Sequence, residues 1–345
     1  MNPLVSELQG KFLATGVGSL PHADAKSAVR DVFDILGHHI PFWPQLPRRS
    51  FFENMYVQFA GRLPGLVVDE AGKSIRVVAD GDRYLADLEN CFARIQEADA
   101  GAFAIERRTA EGLYLFVDEL KKKKDAGGWV KAQLIGPLSL GLTLLDEQKN
   151  PILYHADLRQ LLAPMLGLEA AWLVQQLRSH HKRAIIFVDE PYLVAVGTSA
   201  CSLPRLDIIA LIDRVVEAIH NAGALAGLHC CGNTDWDLVL STDIDILNFD
   251  AWEYFDKLAL YTSSLKNFIK KGGVPAIGIV PNTDIIKEPG TEKKILSLLS
   301  EQKALWEKGA LITTSCGCSG LTEALSRAAH ETAVRVAERL AAGRV

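Results

Sequence analysis

The sequence predicts a single (β/α)8 barrel spanning residues 1–345. Three observations carry that prediction. Apolar runs of strand length alternate with longer amphipathic segments from one end of the chain to the other. The connections between them are short, and no Gly/Ser linker, low-complexity tract or long repeat divides the chain. The unusual polar residues collect where the strands end, which is where a barrel keeps its chemistry. A doubly wound open sheet is the alternative architecture.

The elements follow in order. FLATGVG (Phe12 to Gly18) reads as a strand ending in glycine, and ADAKSAVRDVFDIL (Ala23 to Leu36) as a helix. HIPFWPQLP, from His39, is the second strand, and residues 47–82 read as an excursion on the barrel. DRYLADLENCFARIQEA and TAEGLYLFVDELKKKK are helical patterns, the four lysines Lys121 to Lys124 forming a solvated helix end. VKAQLIGP (Val130 to Pro137) is a strand, and a helical region runs through His181. AIIFVDEP (Ala184 to Pro191) is a buried strand closing on two carboxylates. LPRLDIIALIDRVVEAIHNAG is a helix, ALAGLHC and DIDILNFD (Asp243 to Asp250) are strands, and FDKLALYTSSLKNFIKKG is a helix. VPAIGIV from Val274 is the seventh strand and ALITTSC (Ala310 to Cys316) the eighth, with EKKILSLLSEQKALWEKG between them and a last helix after Leu321.

Composition narrows the function. With 42 acidic and 37 basic residues the chain carries a formal charge of −5, which argues against non-specific nucleic-acid binding. No apolar stretch approaches the length of a membrane span, and MNPLVSELQG does not have the pattern of a secretory signal, so a cytoplasmic protein is expected. Four of the six cysteines fall in two tight groups, Cys230-Cys231 and Cys316/Cys318. Adjacent cysteines bridge only with strain and neither pair is Cys-x-x-Cys, so metal binding is favoured over a redox disulfide.

In an extended chain alternate side chains share a face, so His229 and Cys231 can reach one point while Cys230 points away. Cys316 ends another strand and can converge there, with Cys318 as its competitor. Imidazole plus thiolates suits Zn²⁺, and three protein ligands with an exchangeable fourth place is a catalytic arrangement. Asp250 is a candidate fourth, weaker ligand or a helix cap. Asp189 and Glu190 place two carboxylates in the barrel mouth, able to bind an amine or to act as acid and base. Gly18 and Ser19 offer backbone N–H groups to a substrate carboxylate.

GVGSLPH (Gly16 to His22), VKAQLIGP, IIFVDEP, HCCGN (His229 to Asn233) and TSCG (Thr314 to Gly317) occur in this order across the chain. Their pattern resembles the catalytic half of cobalamin-independent methionine synthase and the corrinoid-dependent methyltransferases of the uroporphyrinogen decarboxylase-like group. The resemblance implies a TIM barrel and zinc-activated thiol alkylation. It implies His229, Cys231 and Cys316 as zinc ligands and Asp250 at the place of a zinc-binding glutamate. It further implies Gly18 and Ser19 as the turn that holds the substrate amino acid, and Asp189 as the carboxylate on its amine.

Departures from the family pattern shape the donor. Val57 or Gln58 stands where a second amine-binding glutamate is expected, in NMYVQFAG. YLVAVG after Asp-Glu-Pro lacks the pterin glutamate, and GIVPNTD (Gly278 to Asp284) contains no proton-donating histidine. The duplicate domain of the folate enzyme is not expected either. These differences favour a methylcorrinoid (methylcobalamin-type) donor on a separate protein and a small thiol acceptor, homocysteine or coenzyme M. A folate-dependent methionine synthase, a metal-free decarboxylase using Arg48-Arg49, and a non-catalytic corrinoid-protein partner presenting SFFENMYVQF are the competing readings.

Overall fold

Nine strands form among the described residues: β1 (Phe12–Ala14), β2 (Leu66–Asp69), β3 (Ser74–Val77), β4 (Trp129–Ile135), β5 (Arg183–Asp189), β6 (Leu225–Cys230), β7 (Ile246–Asp250), β8 (Val274–Val280) and β9 (Ala310–Thr314). The computed structural model describes residues 3–122, 128–179 and 183–344, so Lys123 and Lys124 of the basic run and the predicted helix end at His181 lie outside the described residues. Seven strands make one sheet in the order β1-β9-β8-β7-β6-β5-β4. All of its pairings are parallel. Its strands are buried along nearly their whole length, as both faces are covered.

The expectation of eight regular strands in a closed barrel is met only in part. The second strand, expected from His39, does not form as a strand, because Pro41, Pro44 and Pro47 interrupt the run of donors a ladder needs. The segment is nevertheless bonded on both sides. The Ile40 N–H donates to Ala14 O at 3.0 Å, Trp43 N–H to Lys131 O at 2.9 Å, and Lys131 N–H to Pro41 O at 3.0 Å. The result is a curled seven-stranded sheet whose edge strands, β1 and β4, are both bonded to one irregular segment.

Two cores hold the curl. The larger lies between the sheet and its surrounding helices, including Ala156–Arg178 and Arg205–Asn221. The smaller fills the interior of the curl, where Ile40, Trp129, Phe187 and Leu311 meet Val5 and Leu8 of the N-terminal turn. Between residues 47 and 82 the chain leaves the sheet and makes the antiparallel pair β2–β3.

Two predicted helices are divided. The pattern from Phe255 to Gly272 forms Ala251–Ala259 and Thr262–Lys270. That from Glu292 to Gly309 forms Thr291–Glu301 and Lys303–Trp306. At the second break the Trp306 indole N–H takes the Leu299 carbonyl at 2.8 Å, an acceptor that a continuous helix would use for its own ladder. None of the described helices is long and apolar enough to cross a membrane.

Candidate metal centre

Strands β5, β6 and β7 lie side by side, and their register sets Asp189 beside His229 and His229 beside Asn248. Asn248 is fully buried. Its amide nitrogen donates to Ala276 O at 2.8 Å and to Thr313 Oγ1 at 2.9 Å, which turns its oxygen towards His229. That oxygen can only accept, so the 2.6 Å contact places a proton on His229 Nδ1. The opposite nitrogen, Nε2, is buried and has no hydrogen-bond partner. Fixing one ring nitrogen in this way directs the other at a ligand.

What faces it is sulfur. One donor atom from each of His229, Cys231 and Cys316 lies within 4.8 Å of the other two, the single such group among the described residues. His229 is buried, and both cysteines are partly exposed, which leaves one side of the group approachable. Protons in the cluster are unevenly held. The neighbouring Cys316 first and then His229 hold the Cys231 thiol well below its ordinary range. Cys231 and burial push Cys316 up. Burial opposes charge on His229, but Cys231, Asp189 and Asn248 outweigh it and raise its pKa.

The donor set fits zinc. Two sulfurs and one imidazole nitrogen are ordinary zinc ligands, and on a tetrahedral ion such donors stand about 3.3–3.8 Å apart. Small side-chain adjustments would bring this group to that spacing, and a cation among the ligands would displace their shared protons.

The other cysteines lie elsewhere. Cys230 Sγ turns to Gly232 O at 3.5 Å, and burial pushes its thiol up to about 12. Cys318 is buried near Thr314 and Ser326 and is pushed up to about 11. Cys316 rather than Cys318 therefore joins the group.

Two predicted site residues have different positions from those expected. Asp250 is outside the group as a fourth ligand. The strand gives way to a helix at this residue, and Asp250 Oδ1 caps that helix by accepting from Glu253 N–H at 3.0 Å. Glu190 is not aimed into the curl with Asp189. Its carboxylate accepts from Leu138 N–H at 2.9 Å and Ser139 N–H at 2.7 Å, at the start of the helix Pro137–Thr143. Gly136 permits this, since a Cβ there would collide with the Glu190 carboxylate. Adjacent residues of an extended chain face opposite ways, so the two acids part.

Asp189 does face the cluster. Its Oδ1 is buried without a partner, and burial pushes its pKa up to about 6, with His229 and Lys131 drawing it down. Gly18 and Ser19 border the same region through backbone contacts. Gln45 N–H donates to Gly18 O at 3.0 Å, and Cys318 N–H to Ser19 O at 2.8 Å, so this turn is tied to the loop that carries Cys316. Asn282 braces that loop by donating from Nδ2 to Gly317 O at 3.0 Å.

Three residues escaped the sequence reading as site components. Asn248 is one. Lys131 is another: fully buried, it donates to Val17 O at 2.6 Å and Gln133 Oε1 at 3.0 Å, with its Nζ 4.5 Å from the centroid of the Phe187 ring. Burial pushes its pKa down to about 7, against the pull of Asp189. Its signal was visible, a charge alternating with Gln133 on one face of an apolar strand. The third is Tyr56, from NMYVQFAG, whose phenol is pushed up to about 12 by burial and lies in electrostatic reach of Tyr192 and Cys231. Gln58 of the same segment is occupied elsewhere, accepting from Gln45 Nε2 at 2.7 Å.

No protein-family model and no curated protein matches the chain in sequence. Solved structures do match in shape. One, a methyltransferase from Methanosarcina mazei, superposes with a TM-score of 0.58 at 12% identity, covering 94% of each chain. At that identity the likeness is one of fold: the two chains share an α/β architecture along nearly their whole length.

Proposed function

We propose that the chain is a zinc-dependent methyltransferase that activates a small thiol and receives the methyl group from a methylcorrinoid carried by a separate protein. The observation that carries this reading is the convergence of His229 Nε2, Cys231 and Cys316 at one end of the curled sheet. The name of the M. mazei structure, shared in fold alone, is consistent with it. His229, Cys231 and Cys316 would hold the ion, which when bound lowers the pKa of a substrate thiol towards neutrality.

The chain's own residues supply the rest. Asn248 keeps the imidazole nitrogen aimed at the sulfurs. The unpartnered Asp189 oxygen is available to a substrate amine, whose charge would favour the ionised carboxylate. Lys131 holds the Val17 carbonyl and with it the Gly18-Ser19 turn, where a substrate carboxylate would find backbone N–H groups. In the transfer a sulfur–carbon bond forms as the bond from donor to methyl breaks, and that electron pair stays with the donor.

Metal analysis of protein purified without chelators, beside Cys316→Ala, tests the reading, followed by assay of homocysteine and coenzyme M with methylcobalamin. About one zinc per chain in the parent, little in the variant, and a methylated thiol only with the parent are expected. No zinc after reconstitution sinks the proposal. Zinc without methyl transfer leaves a metal protein that acts as a partner rather than a catalyst.

A further inference from the structure

Away from the sulfur cluster, a cavity of about 480 Å³ opens between the helix Ala156–Arg178 and the segments that follow residue 57. None of His229, Cys231 or Cys316 lines it. Its volume is that of a small-molecule site, in the range of roughly 300–1,000 Å³. Glu169 reaches it from the helix. The residue is 3% exposed, and its Oε2 is fully buried with no hydrogen-bond partner. Burial raises its carboxyl pKa well above the usual range, and the charge of Arg62 only partly opposes this.

Arg62 and Arg94 also line the cavity. Arg62 Nη2 donates to Ala104 O and Arg94 Nε to Asn90 Oδ1, each at 3.3 Å. Neither guanidinium is in an ion pair among the described residues. The cavity therefore has a buried acid oxygen with no hydrogen-bond partner on one wall, with Arg62 in electrostatic reach of Glu169 but outside ion-pair distance, and two guanidiniums outside any ion pair on others. Cys91, also on its wall, is buried and pushed up to about 11, which removes it as a nucleophile.

A metal ion would find one carboxylate outside any ion pair, that of Glu169, because Glu106 and Asp87 on the same lining are paired with Arg108 and Arg83, and it would be repelled by Arg62 and Arg94. A simple anion would satisfy the arginines and leave Glu169 unpartnered. A molecule with both charges answers both walls. We propose that this cavity is a second ligand site, shaped for a small zwitterion of the amino-acid type, with its ammonium on Glu169 and its carboxylate on Arg62 and Arg94. The space beyond those groups would admit a side chain. The inference does not depend on the reading of the metal centre.

Calorimetric titration of the full chain with a panel of L-amino acids, each beside its N-acetyl and its carboxamide derivative, tests it. At least one amino acid should bind, and either derivative should bind about tenfold more weakly or worse. Glu169→Gln and Arg62→Gln should each reduce binding by a similar factor, while Cys316→Ala and Asp189→Asn leave it unchanged. The derivatives probe the native protein, so the test survives a variant that fails to fold. Absence of binding across the panel overturns the proposal. So does binding that tolerates either derivative, or binding that follows Asp189 instead of Glu169.

Discussion

The His229 ring illustrates how much a single residue depends on its neighbour across a strand pair. Asn248 has its amide fixed by Ala276 and Thr313, and it passes that orientation to the imidazole. On the proposed zinc reading, Asn248→Ala should weaken zinc binding about 10–100-fold while the fold persists. Competition with a zinc-sensitive dye measures it, and unchanged affinity would show that the ring needs no partner. Lys131 gives a prediction in pH. Its folded pKa, about 7, lies below the unfolded value near 10.5. A base depressed in this way contributes its full stability above the unfolded pKa, and that contribution is lost as pH falls towards the folded one. Each unit is worth about 1.4 kcal/mol, so several kcal/mol are at stake. Lys131→Met should therefore gain on the parent between pH 10 and pH 7, whatever constant cost attaches to the lost contacts with Val17 and Gln133. Urea unfolding of both proteins at the two pH values reads the gap. A gap independent of pH would mean that the lysine stays charged in its apolar surroundings. The grouping of His229 with Cys231 was legible from alternation in LHCCG, since Cys230 and Cys231 take opposite sides. Asn248 was not, because its importance comes from strand register, which spacing along one strand does not reveal.

At the level of elements, the strand and helix positions were largely readable. Apolar runs bounded by turns are strong signals, and β8 has the predicted bounds, Val274–Val280. The misreadings have physical causes. The segment from His39 has a strand's apolar content, but its prolines leave only isolated bridges to its neighbours. The break at Gln302 is accompanied by the Trp306 indole bonding back to Leu299, a side-chain contact that the apolar period does not reveal. Glu190 is a third case. Beside Asp189 it looked like chemistry, yet its carboxylate serves the first turn of the helix Pro137–Thr143. Hydrogen bonds to a charged acceptor are worth about 1.5–3 kcal/mol each. With two such bonds lost, Glu190→Ala should lower stability by about 3–6 kcal/mol by this measure and leave metal content as in the parent. Denaturant melts beside metal analysis decide the matter. Lost activity with full stability would return Glu190 to the reaction.

At the scale of the molecule, the alternating pattern revealed a wound parallel sheet, but not how its edges meet. The two edges do not pair with each other but are linked by backbone contacts of an irregular segment, and those follow from the packing of both edge strands at once. The same scale governs what a metal would do. Cys231 follows β6 and Cys316 follows β9, with β7 and β8 between them in the sheet. An ion on both sulfurs would tie strand ends that do not pair with each other, spanning the rim opposite the core formed by Val5 and Leu8. Binding confined to the folded state stabilises by mass action, about 2.7 kcal/mol when free zinc stands at a hundred times its dissociation constant. Zinc should therefore raise the melting temperature of the metal-free parent and slow amide exchange where β6 and β9 end. Cys316→Ala should show neither effect, because it leaves one sulfur and one nitrogen on neighbouring positions and nothing across the curl. Slowed exchange near β6 alone, with Cys316→Ala responding like the parent, would place the ion on His229 and Cys231 without the second strand, and the proposed three-ligand centre would fall.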